Sequence, residues 1–517
     1  MPISRLAATV CLCLLLQGGL APAAGAAPAA GSRAGLDKSD ANRHDTDDLG
    51  ARTLAASLRL QAADADAGAR REMVKLIDDP RFELLPADER RSALSALGWA
   101  LFQNGDVRRA RALYTRATAL EEGDLDSWYQ LMLLEMSQEQ NPAAARALIV
   151  LAERWPEVLP DIKEDYIHRV RHGLEPAAPE RVVLLQALFD ANWTTPSLST
   201  DMAWYQLAVA RLDQGKPEAA VAPLKRVATP ELLVWVRSDR RFDGLVDRDA
   251  WAFNAVQAAH NLVDALRQQV QLRPRDLDVR VQLSTALLMV GDNAQVVALA
   301  DEVEHAIAAA PAGTPAFADM EDLAWIRNNR AIAYRRLGRI DEALAEFERA
   351  RRTEEEGTAN VSQVLNLGDF QCRLGRAAAA RETIATVGEN MSDFGKVVLN
   401  AVRLCAALAE DDARARDAAL AFLRAHRKEG PLLYVEAMLR AGDLDAAALT
   451  LREALAAPDR RGEALGWAQE FLRGEPLAGD VAVLERRQQL LARADVRAAI
   501  DAVGRIEQYP LYLIQEM

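Results

Sequence analysis

One phrase recurs along this chain of 517 residues, and its spacing constrains the fold more than any other feature. Leu94-x2-Leu97-Gly98-x2-Leu101 is followed by Gly105-Asp106 and then by Ala110-x3-Tyr114-x2-Ala117. Thirty-four positions after Leu94 stands Trp128, which opens Trp128-x2-Leu131, Ala144-x3-Leu148 and Pro156. The phrase returns as Trp204-x2-Leu207-Ala208, Gly215 and Ala220-x3-Leu224, and most cleanly as Ala331-x2-Tyr334, Gly338 and Ala343-x3-Phe347-x2-Ala350. Shorter copies run from Leu367-Gly368 to Ile384 and from Gly442 to Ala454, with a weaker one from Leu283 to Asp292. A unit of this length cannot enclose a core alone, so copies must stack and bury their apolar faces against one another.

Within each copy the local signals specify two helices and a tight corner. Gly105, Gly215, Gly291, Gly338, Gly375 and Gly442 each close an apolar stripe, where a residue in left-handed conformation ends a helix well. Asp106, Asp292 and Asp443 follow as N-caps, and Pro217 suits a first helical turn. Half the residues are hydrophobic but only 5% are aromatic. Alanine and leucine interspersed with arginine and glutamate lose little freedom on entering a helix. The fold class is therefore all-α.

These phrases resemble tetratricopeptide repeats, whose pattern is Trp-x2-Leu-Gly-x2-Tyr, then Ala-x3-Phe and Pro. The resemblance covers seven units, near 91–124, 125–158, 201–234, 277–310, 324–357, 361–394 and 428–461. It implies an α-solenoid, a right-handed superhelix of antiparallel helix pairs, arranged in one or two arrays. In that family the first helix of each pair lines a concave groove that takes extended peptides or partner helices. Carried onto this chain, the lining includes Ser95, Trp99 and Phe102 in the first copy, and Tyr129, Leu133 and Met136 in the second. Tyr205, Val209 and Leu212 follow in the third, and Asn328, Ile332 and Arg335 in the fifth. The same stripe also reads as ordinary core covered by neighbouring helices. The family's clamp for C-terminal carboxylates is not expected, because Leu365 and Asp369 stand beside Asn328 and Arg335.

Several positions depart from the pattern. Glu135 and Arg211 replace an expected aromatic residue, and Arg327 and Arg330 stand where Trp and Leu belong. Segments 159–200, 235–276 and 395–427 are helical by pattern without the signature. The expected organisation is a signal peptide at 1–26, a flexible leader at 27–50 and an N-terminal array at 51–234. Connecting helices with a degenerate repeat then fill 235–310. A linker at 311–323 follows from Pro311, Gly313 and Pro315, with a C-terminal array at 324–461 and a helical cap at 462–517.

Arg5, the apolar run Leu6 to Leu16 and Ala24-Gly25-Ala26 read as a secretory signal too short to span a bilayer. Export to the periplasm or the medium is the corresponding expectation, with Cys11 and Cys13 removed alongside the signal. The remaining cysteines, Cys372 and Cys405, read as two small buried thiols or as a disulfide between neighbouring helices. The net charge of −14 leaves no basic surface for nucleic acid.

No Gly-x-Ser-x-Gly, His-Glu-x2-His or Gly-x4-Gly-Lys motif occurs. His168 and His172 share a helix face but lack an evident third ligand, so no metal, cofactor or catalysis is expected. The leading expectation is a non-catalytic scaffold that holds a protein or peptide partner in the cell envelope. The alternatives are an accessory of exopolysaccharide or envelope assembly and the helical superstructure of a cell-wall hydrolase. Oligomeric state stays open.

Overall fold

The computed structural model describes residues 38–61, 67–120, 123–176, 178–195, 200–353, 360–388 and 391–512. The expected signal peptide with Cys11 and Cys13, the start of the leader and Glu354 to Glu356 lie outside them. The chain divides into two compact units between Ala203 and Trp204. That boundary falls inside the array expected over 51–234, and residues 311–323 separate nothing. Phe317, in the middle of the expected linker, is buried with Leu277, Val303 and Ile326, so the segment is packed wall rather than hinge.

The N-terminal unit holds α1 (Lys38–Gln61), α2 (Ala67–Ile77), α3 (Ala87–Gln103), α4 (Val107–Ala119), α5 (Leu125–Ser137), α6 (Asn141–Arg154), α7 (Glu164–His172) and α8 (Pro179–Asp190). Helix α1 corrects the leader: Leu49, Ala56 and Leu60 join Met73, Phe82 and Leu94 in one core. The stripe starts at Leu49, at the end of a polar, Asp-rich stretch that conceals it in the sequence. Segment 159–200 supplies α7 and α8, which both pack on α6 rather than forming a further repeat pair.

The C-terminal unit begins within α9 (Asp201–Asp213) and continues through α10 (Pro217–Leu224), α11 (Pro230–Ser238), α12 (Ala255–Leu272), α13 (Leu277–Val290) and α14 (Asn293–Ala309). Then come α15 (Leu323–Arg336), α16 (Ile340–Arg351), α17 (Val361–Arg373), α18 (Ala377–Ile384), α19 (Asp393–Ala409), α20 (Ala413–Ala425), α21 (Pro431–Ala441) and α22 (Leu444–Ala456). The chain finishes with α23 (Arg461–Ala468), β1 (Glu470–Leu472), α24 (Val481–Ala492), α25 (Ala494–Val503) and β2 (Gln508–Tyr512). Each repeat copy read from the sequence is one of these pairs, and the unmatched 395–427 is another, α19 with α20. The protein is an all-α solenoid of stacked helix pairs, as the resemblance implies.

The corners obey the local rules. All six corner glycines have φ between 69° and 81°, a region that costs any other L-residue Cβ crowding. Asp106, Asp292 and Asp443 each accept from the backbone N–H three residues on. Helices of a pair approach closely where the repeat keeps a small residue. A Cβ at Gly98 would lie 3.1 Å from the Tyr114 ring, and one at Gly368 only 2.5 Å from Ile384.

Ion pairs fill the places where the pattern is broken. Arg330, buried where leucine is expected, donates to Glu346 at 2.6 Å and to Asp301 at 2.8 Å. Arg327 and Arg349 share Glu304, each at 2.9 Å. Glu135 takes both ends of the Arg111 guanidinium at 2.6 and 2.8 Å. A buried charge is tolerable only when paired and hydrogen-bonded, and each of these departures comes with its partner on a facing helix.

The last segment packs the helices α24 and α25 on α21 and α22, as a helical cap would, but it also does more. It returns to the start of the C-terminal unit, where β1 and β2 pair in parallel, Glu470 with Gln508 and Phe471 with Tyr509. Helix α23 lies against α9 and α11 through two glycines. A Cβ on Gly462 would strike the Tyr205 hydroxyl at 2.1 Å, and one on Gly466 the Trp235 indole at 2.4 Å. Arg237 donates to Glu507 at 2.9 Å, and Arg505 to Asp243 at 2.7 Å. First and last helices of this unit are thereby locked together.

Candidate functional site

In the N-terminal unit α3 lies beside α5, and α5 beside α7. Ser95 and Ser127 join α3 to α5 through a 2.7 Å hydroxyl contact. One turn beyond Ser95, Trp99 is 38% exposed, and its ring tilts onto Phe102 at 6.0 Å. Tyr129 and Leu133 on α5 are half-buried. Burial and the nearby Tyr166 of α7 raise the Tyr129 hydroxyl above its ordinary pKa, and Lys163 sits over the Tyr166 ring at 5.7 Å. Trp99 and Phe102 on α3, and Tyr129 and Leu133 on α5, therefore stay partly exposed on adjoining helices. Met136 does not join them; it is buried in the core.

The C-terminal unit treats its candidates differently. Tyr205, expected in a groove, is buried with its ring against Trp235 at 5.6 Å and Phe242 at 6.0 Å. The returning α23 covers it at Gly462, so the expected surface is an internal joint. Val209 is buried and Leu212 half-buried. Asn328 is buried and accepts from Asn366 of α17 at 2.9 Å. Its neighbour Asn329 reaches back to Ser284 at 2.7 Å and Thr285 at 3.0 Å. These amides stitch α13, α15 and α17 together, and Ile332 beside them is core. Arg335 remains half-buried.

Charges that sequence reasoning passed over gather nearby. Asp369 keeps a third of its side-chain surface open, yet burial raises its carboxyl pKa even with Arg373, Arg440 and Arg335 in reach. Burial raises Glu436 too, although the Trp467 indole donates to it at 3.0 Å. Arg373 pairs with Asp369 at 3.5 Å, and Arg373 and Arg440 bind Asp480 from 2.9 and 3.5 Å. Arg373 and Arg440 occupy the same position at the end of a first helix. That register was the one signal from which the cluster could have been found.

The two histidines of α7 are stacked at 6.1 Å with Arg171 between them. Its guanidinium donates to His168 Nδ1 at 3.0 Å and to His172 Nε2 at 3.1 Å, so both nitrogens act as acceptors on neutral rings. Among the described residues no group of three or more His, Cys, Asp or Glu could hold a metal ion. Burial, with Arg171 beside it, pulls His172 down to about 4, whereas an unfolded histidine titrates near about 6.5. Between those values the unfolded chain binds more protons, so stability is expected to fall on acidification from about pH 6.5 toward 4. His172→Gln, which keeps an acceptor for Arg171, should flatten that part of the profile in denaturant titrations at stepped pH. An unchanged slope would show that the ring is not held neutral.

Of the two readings of Cys372 and Cys405, separate thiols give way to the bonded pair. The cysteines form a disulfide, with Cα atoms 6.2 Å apart, joining α17 to α19. Among the described residues no helix is long and apolar enough to cross a membrane.

No family model matches the chain, and no curated protein matches it. Among solved structures it is similar to an APC/C hetero-tetramer, Cut9–Hcn1, with 12% identity over 88% of this chain and 96% of that one and a TM-score of 0.29. It is also similar to a monomeric mutant of IFIT1 with m7Gppp-AAAA, at 13% identity, 87% and 90% coverage and a TM-score of 0.27. A circular tandem repeat protein with novel repeat topology follows at 15% identity, 89% and 98% coverage and a TM-score of 0.12. The assignment of the solenoid rests on the chain's own helix pairs.

Proposed function

We propose that this chain is an exported scaffold that holds a segment of another protein against the face formed by α3, α5 and α7. The observation that carries the proposal is Trp99, more than a third exposed beside Phe102, Tyr129 and Leu133 on adjoining first helices. Aromatic side chains left half-open in a row are costly in water and are what interfaces use as anchors. Export is supported by the signal-like N-terminus and by the disulfide, since such bonds persist in oxidising compartments.

The test is photo-crosslinking in envelope extract with a benzophenone amino acid at position 102 or 133, set against one at Arg146 on α6. Partners should appear at the first two positions and not at the third. Trp99→Ala/Tyr129→Ala should weaken the captured complex by at least about 30-fold, since even one anchor residue of this type contributes at least about 2 kcal/mol at an interface. Equal capture by the folded double variant would remove the site.

A further inference from the structure

A cleft of about 340 Å³ opens in the C-terminal unit, where the chain beyond α14 passes over α13. Its floor holds Arg280 of α13, which is 6% exposed. The Nη1 of Arg280 donates to the Asp276 carbonyl at 3.1 Å, and the guanidinium lies over the Phe317 ring at 5.0 Å. Its Nε is buried without a hydrogen-bond partner.

The nearby carboxylates do not complete this group. Asp276 is engaged as the cap of α13 and with Arg273 at 3.2 Å. Glu302 is exposed at the cleft wall. Burial accordingly pulls Arg280 below the ordinary arginine pKa, with Glu302 and Asp276 offsetting that only in part. A buried guanidinium is stable when an anion takes its remaining donors.

The rest of the cleft says what kind of anion fits. Ala309, Pro311 and Phe317 make its walls apolar and shallow, and Arg275 pins the far lip by donating to the Pro315 carbonyl at 3.1 Å. A bare phosphate or sulfate would lose its hydration against such walls, whereas a carboxylate on a small apolar body covers them.

We propose that this cleft binds a carboxylate carried on a small apolar body, with Arg280 as its cation and the exposed Glu302 as a repelling charge at the wall. Short-chain fatty acids and the carboxyl end of an alanine-rich peptide share that chemistry. The site is independent of the α3–α5–α7 face, and its fate does not depend on the scaffold reading.

Calorimetric titration of the full chain separates the outcomes, using butyrate and N-acetyl-Ala-Ala against butyramide and the N-acetyl-Ala-Ala amide. One of the two acids should bind at least about tenfold more tightly than its amide, as the loss of a charge-assisted pair predicts. Whichever acid binds identifies the source. Arg280→Gln, which keeps a donor for the Asp276 carbonyl, should erase the preference, and Glu302→Gln should strengthen binding severalfold by removing a like charge from the cleft wall. Ala309→Trp fills the exposed lip while leaving Arg280 intact, so it should abolish binding even if Arg280→Gln fails to fold. Amides that bind as well as acids, acids that do not bind at millimolar concentration, binding unaffected by Ala309→Trp, or binding weakened by Glu302→Gln would each overturn the site.

Discussion

Arg373→Ala is expected to cost the C-terminal unit about 3–5 kcal/mol, the range for breaking one side of a buried ion pair. Arg373 ends α17 and donates from Nε at 3.0 Å and Nη2 at 2.9 Å to Asp480, just ahead of α24. Both side chains are about nine-tenths buried. Asp480 would keep only Arg440, at 3.5 Å, which is too little for a carboxylate shut away from water. The neighbouring backbone shares the load, since the Gly479 N–H donates to the Arg373 carbonyl at 2.8 Å. The denaturant midpoint should drop at constant slope, and amide exchange at Gly479 should accelerate. Arg373→Leu/Asp480→Leu should recover much of the loss, because an apolar pair leaves no charge uncompensated. A single-variant loss under about 1 kcal/mol would mean that water reaches the pair, as at an exposed bridge.

Reducing the Cys372–Cys405 bond, or replacing both residues by serine, is expected to lower stability by about 3–4 kcal/mol. The bond closes a loop across a separation of 33 residues, and confining such a loop in the unfolded chain accounts for an effect of that size. It spans α18 and ties the first helices of two successive pairs. Unfolding curves with and without a thiol reductant measure the difference directly, and overlapping curves would dismiss it. The serine variant should still fold, since both positions sit in a core that includes Leu365, Ile384 and Leu399.

The candidate site was legible in part. Trp99 with Phe102 on α3, and Tyr129 with Leu133 on α5, are neighbours because helical spacing dictates it, and the structure leaves all four partly exposed. Met136 follows the same register but ends in the core. Tyr205 failed for another reason. Its copy of the repeat is as clear as the others, but a segment from near the far end of the chain lies over it. The broken repeat positions are similar: Arg330 and Glu135 look like defects in one dimension, and only the facing Glu346 and Arg111 explain them.

The sequence by itself determined the helix pairs, their corners at glycine and their stacking order, because each depends on contacts within a turn or one repeat length. Tertiary structure alone decided which faces stay open. Arg373 meets Asp480 across 107 residues and Arg237 meets Glu507 across 270, and no local propensity carries information over such distances. Burial is a property of what returns to cover a side chain, so a surface can be read from a repeat only until the rest of the chain arrives.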